Sequence, residues 1–322
     1  MSSNSGSAPY VDHDTRITLI GAGTIGLSFA ALHLQFLASP SQLTILDTRP
    51  DLEEYVASTL PKYLPASFRG SIPSLRLTAS LADAVRDADI VQEQGPENLP
   101  FKASIWKEVA KNAQKPSALF WSSTSGITAS AQAEGAELDD GAAARLIVVH
   151  PYNPPHIMPL LEVVPGAKTG PETVERTLNF WRRRRREPVV LKKECAGFVA
   201  NRLAFALLRE SVHLVNEGIV SVEELDRLVQ TSMGPRWAAA GPFKSYHAGG
   251  GPGGLEAFFK NIGGTVQGCW DDSGKENVGE GWEREIFRQA KEAYGVADTS
   301  ERDHLTRAVL EAAQSKQRQG DS

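Results

Sequence analysis

One stretch, Ile17 to Asp47, constrains the chain more than any other. Ile17-Thr18-Leu19-Ile20 is an apolar run rich in β-branched side chains, and it breaks directly into Gly21-Ala22-Gly23-Thr24-Ile25-Gly26. Beyond the glycines, Ile25, Phe29, Leu32 and Phe36 recur at three- and four-residue steps, the period of a helix with one buried face. A second short apolar run, Leu43 to Leu46, ends in Asp47. Strand, glycine turn, helix, strand and acid, in that order, point to an α/β fold built on a parallel sheet.

Each part has a physical task, and together the parts suit a dinucleotide. Gly21 permits the tight turn off the strand, Gly23 lets a pyrophosphate approach the backbone, and Gly26 lets helix and strand pack closely. The helix opening at Thr24 and Ile25 offers free N–H groups and a positive dipole end to the phosphates. Asp47 follows the glycines by roughly twenty residues, the usual distance for a carboxylate that accepts the ribose hydroxyls of NAD. Its charge would repel the 2′-phosphate of NADP. Arg49 argues for NADP only if its side chain turns inward and Asp47 turns away. A glycine turn without a ligand is the bland alternative, and the flanking strand, helical period and placed acid speak against it.

A chain of 322 residues suits two domains better than one core. After Asp47, short apolar runs alternate with helical patterns. Expected strands are Leu75–Thr78, Asp89–Glu93, Ala118–Trp121, Leu146–Val149, Leu160–Val164 and Pro188–Leu191. From Phe198 onward only helical patterns remain: one to about Asn216, one capped by Ser221 with Glu224 and stopping at Gly234-Pro235, and later ones over Leu255–Ile262, Gly281–Tyr294 and Ser300–Lys316. The expected fold class is therefore α/β, a Rossmann-type doubly wound, mostly parallel sheet followed by an all-helical C-terminal domain. Residues 1–14 are expected to be a disordered tail, 15–192 the NAD-binding domain and 193–322 the helical domain.

Composition narrows the partners. A net charge of −5 argues against a nucleic-acid or anionic-membrane surface. The two cysteines, Cys195 and Cys269, lack paired spacing, so neither a disulfide scaffold nor a cysteine zinc site is expected, and a reducing cytoplasmic setting fits best. The Ser- and Gly-bearing N-terminus reads as no targeting peptide, and no apolar stretch reaches membrane-spanning length. Gly249 to Gly254 lacks the Lys-Ser/Thr tail of a phosphate loop and reads as a flexible turn. Arg182 to Arg186 reads as a solvated helix C-terminus, with a specific anion site as the alternative.

Proton transfer near neutral pH is best done by histidine. His150 stands out because it ends the most hydrophobic strand, where ligands gather in a doubly wound sheet, and Pro151, Asn153 and Pro154 follow it. Glu162 falls on the next strand, where a carboxylate behind an imidazole fixes its tautomer. Spacing alone leaves both residues equally open to a structural reading.

Several segments together resemble the 3-hydroxyacyl-CoA dehydrogenase superfamily. They are Gly21 to Gly26, Glu93 with Pro96-Glu97-Asn98, Ser123-Thr124-Ser125-Gly126, His150-Pro151-Tyr152-Asn153-Pro154 through Leu161-Glu162-Val163-Val164, and Gly197 to Leu203. Within the superfamily, Glu217 to Ser221 and Gly234 to Pro242 look most like the lambda-crystallin, or L-gulonate 3-dehydrogenase, branch, with L-carnitine dehydrogenase close behind. The resemblance implies that His150 is the general base and Glu162 its orienting partner, that Ser125 and Asn201 hold the substrate oxygen, and that Asn153 lies on the substrate side. It places Glu93 and Lys102 near the nicotinamide, although Lys102 also reads as a solvated helix lysine. Asn201 would open the helical domain, so that the site forms where two domains meet, and the helical domain would make a homodimer.

The substrate expected on this reading is a small free 3-hydroxy acid such as L-gulonate, 3-hydroxybutyrate or carnitine. The family's CoA enzymes carry a long, lysine-bearing helical hairpin after the second strand. Here the connection from Thr48 to Ala88 is shorter, is broken by Pro61, Pro65 and Pro73, and carries only Lys62, Arg69, Arg76 and Arg86 near its middle and end. Arg236 is the candidate for a bidentate grip on a carboxylate, or else a structural arginine at its Gly-Pro turn. Trp237, Phe243 and Tyr246 leave room for a quaternary ammonium. A non-catalytic, crystallin-like dinucleotide binder is the rival from another class, and the joint presence of Ser125, His150, Glu162 and Asn201 speaks against it.

Overall fold

The computed structural model describes residues 10–296 and 298–320, the stretch 314–320 by its backbone alone. Eight strands make one sheet: β1 (Ile17–Ile20), β2 (Leu43–Leu46), β3 (Arg76–Thr78), β4 (Ile90–Glu93), β5 (Leu119–Ser122), β6 (Leu146–Pro151), β7 (Leu160–Pro165) and β8 (Glu187–Val190). Their order is β3-β2-β1-β4-β5-β6-β7-β8. All neighbours run parallel except β6 and β7, which pair antiparallel. The order reverses between β1 and β4, and ligands of such sheets bind in the crevice beyond the strand ends at that point.

Side-chain alternation explains why both faces are covered. On β5, Leu119 and Trp121 point into one core with Leu19, Phe29 and Trp181, while Phe120 points into the other with Val91, Trp106 and Val148. Helices α1 (Thr24–Leu34), α2 (Leu52–Thr59) and α7 (Pro171–Arg183) contribute to the first core. Between them in sequence, α3 (Leu81–Val85), α4 (Leu99–Asn112), α5 (Ala129–Gly135) and α6 (Asp140–Ala143) close the second. Each fully buried aliphatic or aromatic side chain contributes roughly 1.5–3 kcal/mol.

The first compact unit runs to Asn201, beyond the expected boundary at 192. Tyr10 to Asp14, expected as tail, are tied down. Asp12 bridges to Leu37 and pairs with Arg184 at 2.5 Å. Burial opposes the Asp12 charge, yet bonds from Thr15 and Arg184 hold its carboxyl down to about 2. Residues 1–9 of that tail lie outside the described residues. The arginine run is correspondingly not a uniformly solvated end: Arg184 is 1% exposed and stacks on Phe180, and Arg186 donates to Pro155 O and Met158 O.

The second unit is helical: α8 (Ala200–Asn216), whose first two residues belong to the first unit, then α9 (Val222–Thr231), α10 (Met233–Ala239), α11 (Pro242–Gly249), α12 (Gly254–Asp272), α13 (Glu283–Tyr294) and α14 (Ser300–Gly320). Ser221 and Glu224 form the expected reciprocal cap. Gly234-Pro235 does not stop a helix; the break falls at Ser232, and proline sits in the first turn of α10, where its missing N–H costs nothing. The helix at Leu255 continues to Asp272, and Gly251–Gly253 form a short 3₁₀ turn before it. No helix among the described residues is long and apolar enough to cross a membrane.

Candidate functional site

The glycine turn has the shape its sequence demands. Gly21 takes φ +104°, and a Cβ on Gly26 would lie 1.9 Å from Gly21 O. A Cβ on Gly23 would meet nothing within 4 Å, and no side chain caps α1, so the helix start at Thr24 and Ile25 is open to an anion. Asp47 Oδ2 accepts from Ala22 N at 2.7 Å and Oδ1 from Arg49 N at 3.0 Å, which fixes the carboxylate beside the turn with lone pairs to spare. Arg49 is committed elsewhere, to Asp51 at 2.8 Å and to the Tyr55 ring at 3.4 Å. The inward arginine that NADP would need is therefore not formed, and the residues fit NAD.

Across the switch point, β4 ends in Glu93, fully buried against Lys102 Nζ at 2.9 Å from both its oxygens. Glu93 also accepts from Gly95 N at 2.6 Å and Ser122 Oγ at 3.0 Å. Burial pushes the Glu93 carboxyl up, and Lys102 offsets part of that rise. Lys102 is 1% exposed, so the solvated-lysine reading is wrong. The next acid, Glu97, has a role that its sequence motif does not reveal. Its Oε1 accepts from Thr124 Oγ1, Ser125 N at 3.1 Å and Gly126 N at 3.0 Å, holding the serine loop after β5. An acid in a turn has no spacing signal for a partner on another loop; only the β4–β5 pairing brings the two together.

His150 and Glu162 face each other as a cross-strand pair of β6 and β7. His150 Nδ1 and Glu162 Oε2 are 2.8 Å apart, both groups buried. Glu162 Oε1 accepts from Val199 N at 2.8 Å and Ala200 N at 3.0 Å, at the N-terminal end of α8. Burial alone would raise the Glu162 carboxyl, but His150 and the two N–H groups hold it below the usual carboxylate range. An ionised Glu162 can only accept, so Nδ1 must carry a proton and Nε2 must present its lone pair. No protein group among the described residues occupies that Nε2.

Phe198, at φ +52° after Gly197 at +72°, turns the chain into α8 and lays its ring 5.2 Å from the His150 ring. Beyond it, Asn201 Nδ2 donates to Ser125 O at 3.3 Å. This contact lies within the first unit, whose last residue is Asn201, so it does not depend on a second domain. Ser125, His150, Glu162 and Asn201 thus belong to one bonded neighbourhood through residues 197–201. Asn153 is exposed on the loop after His150, and Arg236 is exposed on α10 of the other unit. No group of three or more ligands among the described residues could hold a metal ion.

Two family models match the chain: the NAD-binding domain of 3-hydroxyacyl-CoA dehydrogenase over residues 16–195 and its C-terminal domain over 197–273. An L-carnitine dehydrogenase from Oceanobacillus iheyensis is 33% identical over 261 residues, 79% of this chain and 82% of that enzyme. A 3-hydroxyacyl-CoA dehydrogenase from Gibberella moniliformis is 34% identical over 263 residues, 80% of each chain. Among solved structures, an NAD⁺-dependent 5-formyl-3-hydroxy-2-methylpyridine 4-carboxylic acid 5-dehydrogenase aligns with TM-score 0.75 and 28% identity, covering 94% of this chain and 99% of that one.

Proposed function

The chain belongs to the 3-hydroxyacyl-CoA dehydrogenase family, and from that premise we propose that it oxidises the 3-hydroxyl of a small free acid, with L-carnitine as the leading candidate. It is an NAD-dependent oxidoreductase of CH–OH donors. The names of its relatives favour carnitine over gulonate, reversing the order expected from the sequence. The pyridine carboxylic acid named for the structural neighbour is likewise a free acid. Of the cations in the connection where a CoA nucleotide would need them, Arg49, Arg76 and Arg86 are spent on Asp51, Asp83 O and Asp83, which leaves Lys62 and Arg69.

The observation that carries the reading is the His150–Glu162 pair, with Glu162 pinned by two backbone N–H groups. NAD, when bound, accepts the hydride. Gly21, Gly23 and the start of α1 hold its pyrophosphate, and Asp47 holds its adenosine ribose. Ser125 and Asn201 hold the substrate oxygen as it changes from alcohol to carbonyl. His150 Nε2 takes the hydroxyl proton, and Glu162 stabilises the imidazolium that results. Glu93 and Lys102, locked to each other, shape the floor of the nicotinamide end. Arg236, the sequence's candidate for a carboxylate, and Trp237, Phe243 and Tyr246, its candidates for an ammonium, belong to the second unit and are exposed there.

A homodimer in a reducing cytoplasm completes the proposal. In the second unit Val212 and Val215 are the buried large hydrophobics among the described residues, while Phe205, Leu208, Phe243, Trp270 and Phe287 are all exposed. That is too much apolar surface for a free helical unit, and a second copy is its proposed cover. Both cysteines are unpaired. The test is initial NADH formation with L-carnitine, L-gulonate, 3-hydroxybutyrate and 3-hydroxybutyryl-CoA. L-carnitine should lead; efficient turnover of the thioester with inertness toward every free acid would overturn the proposal.

A further inference from the structure

A buried polar chain beneath the serine loop has no part in the proton transfer above. Gln92, fully buried on β4, donates from Nε2 to Ser123 Oγ at 3.2 Å, and its Oε1 lies 3.0 Å from His33 Nε2 on α1. A carboxamide oxygen only accepts, so His33 donates from Nε2 and its Nδ1 is bare. That Nδ1 has no partner and sits among Phe29, Phe180 and Trp181. Burial drives the His33 pKa down to about 3, so the ring stays neutral and the direction of the chain does not change with ordinary pH.

That direction has a consequence at the far end. Ser123 Oγ receives a hydrogen bond from below, and its own proton meets no acceptor among the described residues. Ser123 follows β5 directly and sits beside Glu93, to whose carbonyl its N–H donates at 2.8 Å. With Asp47 after β2 and the glycine turn after β1, a dinucleotide crossing the strand ends lays its nicotinamide half over β4 and β5. We propose that His33 and Gln92 are positioning residues that turn the Ser123 hydroxyl outward as a donor to an oxygen at the nicotinamide end of NAD. The inference rests on the NAD-binding reading and not on the choice of substrate.

The test is NADH binding by fluorescence titration, without substrate, alongside thermal unfolding. Gln92→Glu keeps the shape but can only accept from both neighbours, which turns the Ser123 proton inward. Its NADH affinity should fall about tenfold, equivalent to 1.4 kcal/mol. Ser123→Ala should lose about as much, and the double variant should bind no more weakly than Ser123→Ala alone, because the two act through one bond. Gln92→Met, with no charge to bury, repeats the cycle if the first variant folds poorly; its roughly two- to threefold loss should vanish in the Ser123→Ala background. Wild-type affinity in the Gln92 variants, or losses that multiply with Ser123→Ala, would overturn the inference. A wrong substrate assignment would appear only in turnover and leave these binding results untouched.

Discussion

Replacing Glu162 by glutamine separates chemistry from folding. The carboxylate serves His150 through Oε2 and the start of α8 through Oε1. A glutamine keeps one acceptor, which the two N–H groups of Val199 and Ala200 would claim, leaving its NH₂ to face His150. The imidazole must then accept at Nδ1 and carry its proton on Nε2, the nitrogen proposed as the base. Turnover should fall on the order of 100- to 10,000-fold, about 2.7–5.4 kcal/mol. Stability should fall much less. Three charge-assisted bonds become neutral and the start of α8 loses its anion, together about 1–2 kcal/mol. Steady-state NADH formation at 340 nm, with urea unfolding and NADH titration on the same variant, gives all three quantities. A kcat within a few-fold of wild type, or an activity loss matched by unfolding, would refute the tautomer reasoning.

Other residues yield independent checks. Asp47→Ala should weaken NAD and relax discrimination against NADP; an unchanged cofactor preference in paired titrations would remove Asp47 from the ribose site. Lys102→Met strands Glu93 in the core and should cost about 3–5 kcal/mol in urea unfolding, partly recovered by adding Glu93→Leu. His33 has a folded pKa of about 3, below its ordinary 6.5. The unfolded chain therefore takes up the proton first as pH falls, so this residue leaves stability flat above 6.5 and erodes it down to about 3. Between pH 7 and 5 the loss is about 2 kcal/mol, and His33→Phe should flatten it; parallel curves for the two proteins would contradict the burial argument.

What the sequence revealed was local or periodic. The glycine turn, α1, Asp47 and the buried strand ending at His150 are each written in a few consecutive residues, and the structure has them where expected. Pairings between distant segments were not legible. The residues alone left Glu162 undecided, and only the family resemblance set it beside His150; the antiparallel register that does so, the hold of Glu97 on the Ser125 loop and the Asp12–Arg184 lock depend on which strands become neighbours. Helix ends at Ser232 and Asp272 were misplaced for a similar reason: glycine and proline signal a stop only where the surrounding backbone does not accommodate them.

The most direct measurement is hydride transfer in a His150→Ala variant, followed in a single turnover with saturating NAD and L-carnitine. NADH formation should slow about 100- to 10,000-fold while NADH binds within about twofold of wild type. A rate close to wild type, or an NADH affinity that collapses with it, would mean that His150 supports the fold rather than taking the proton.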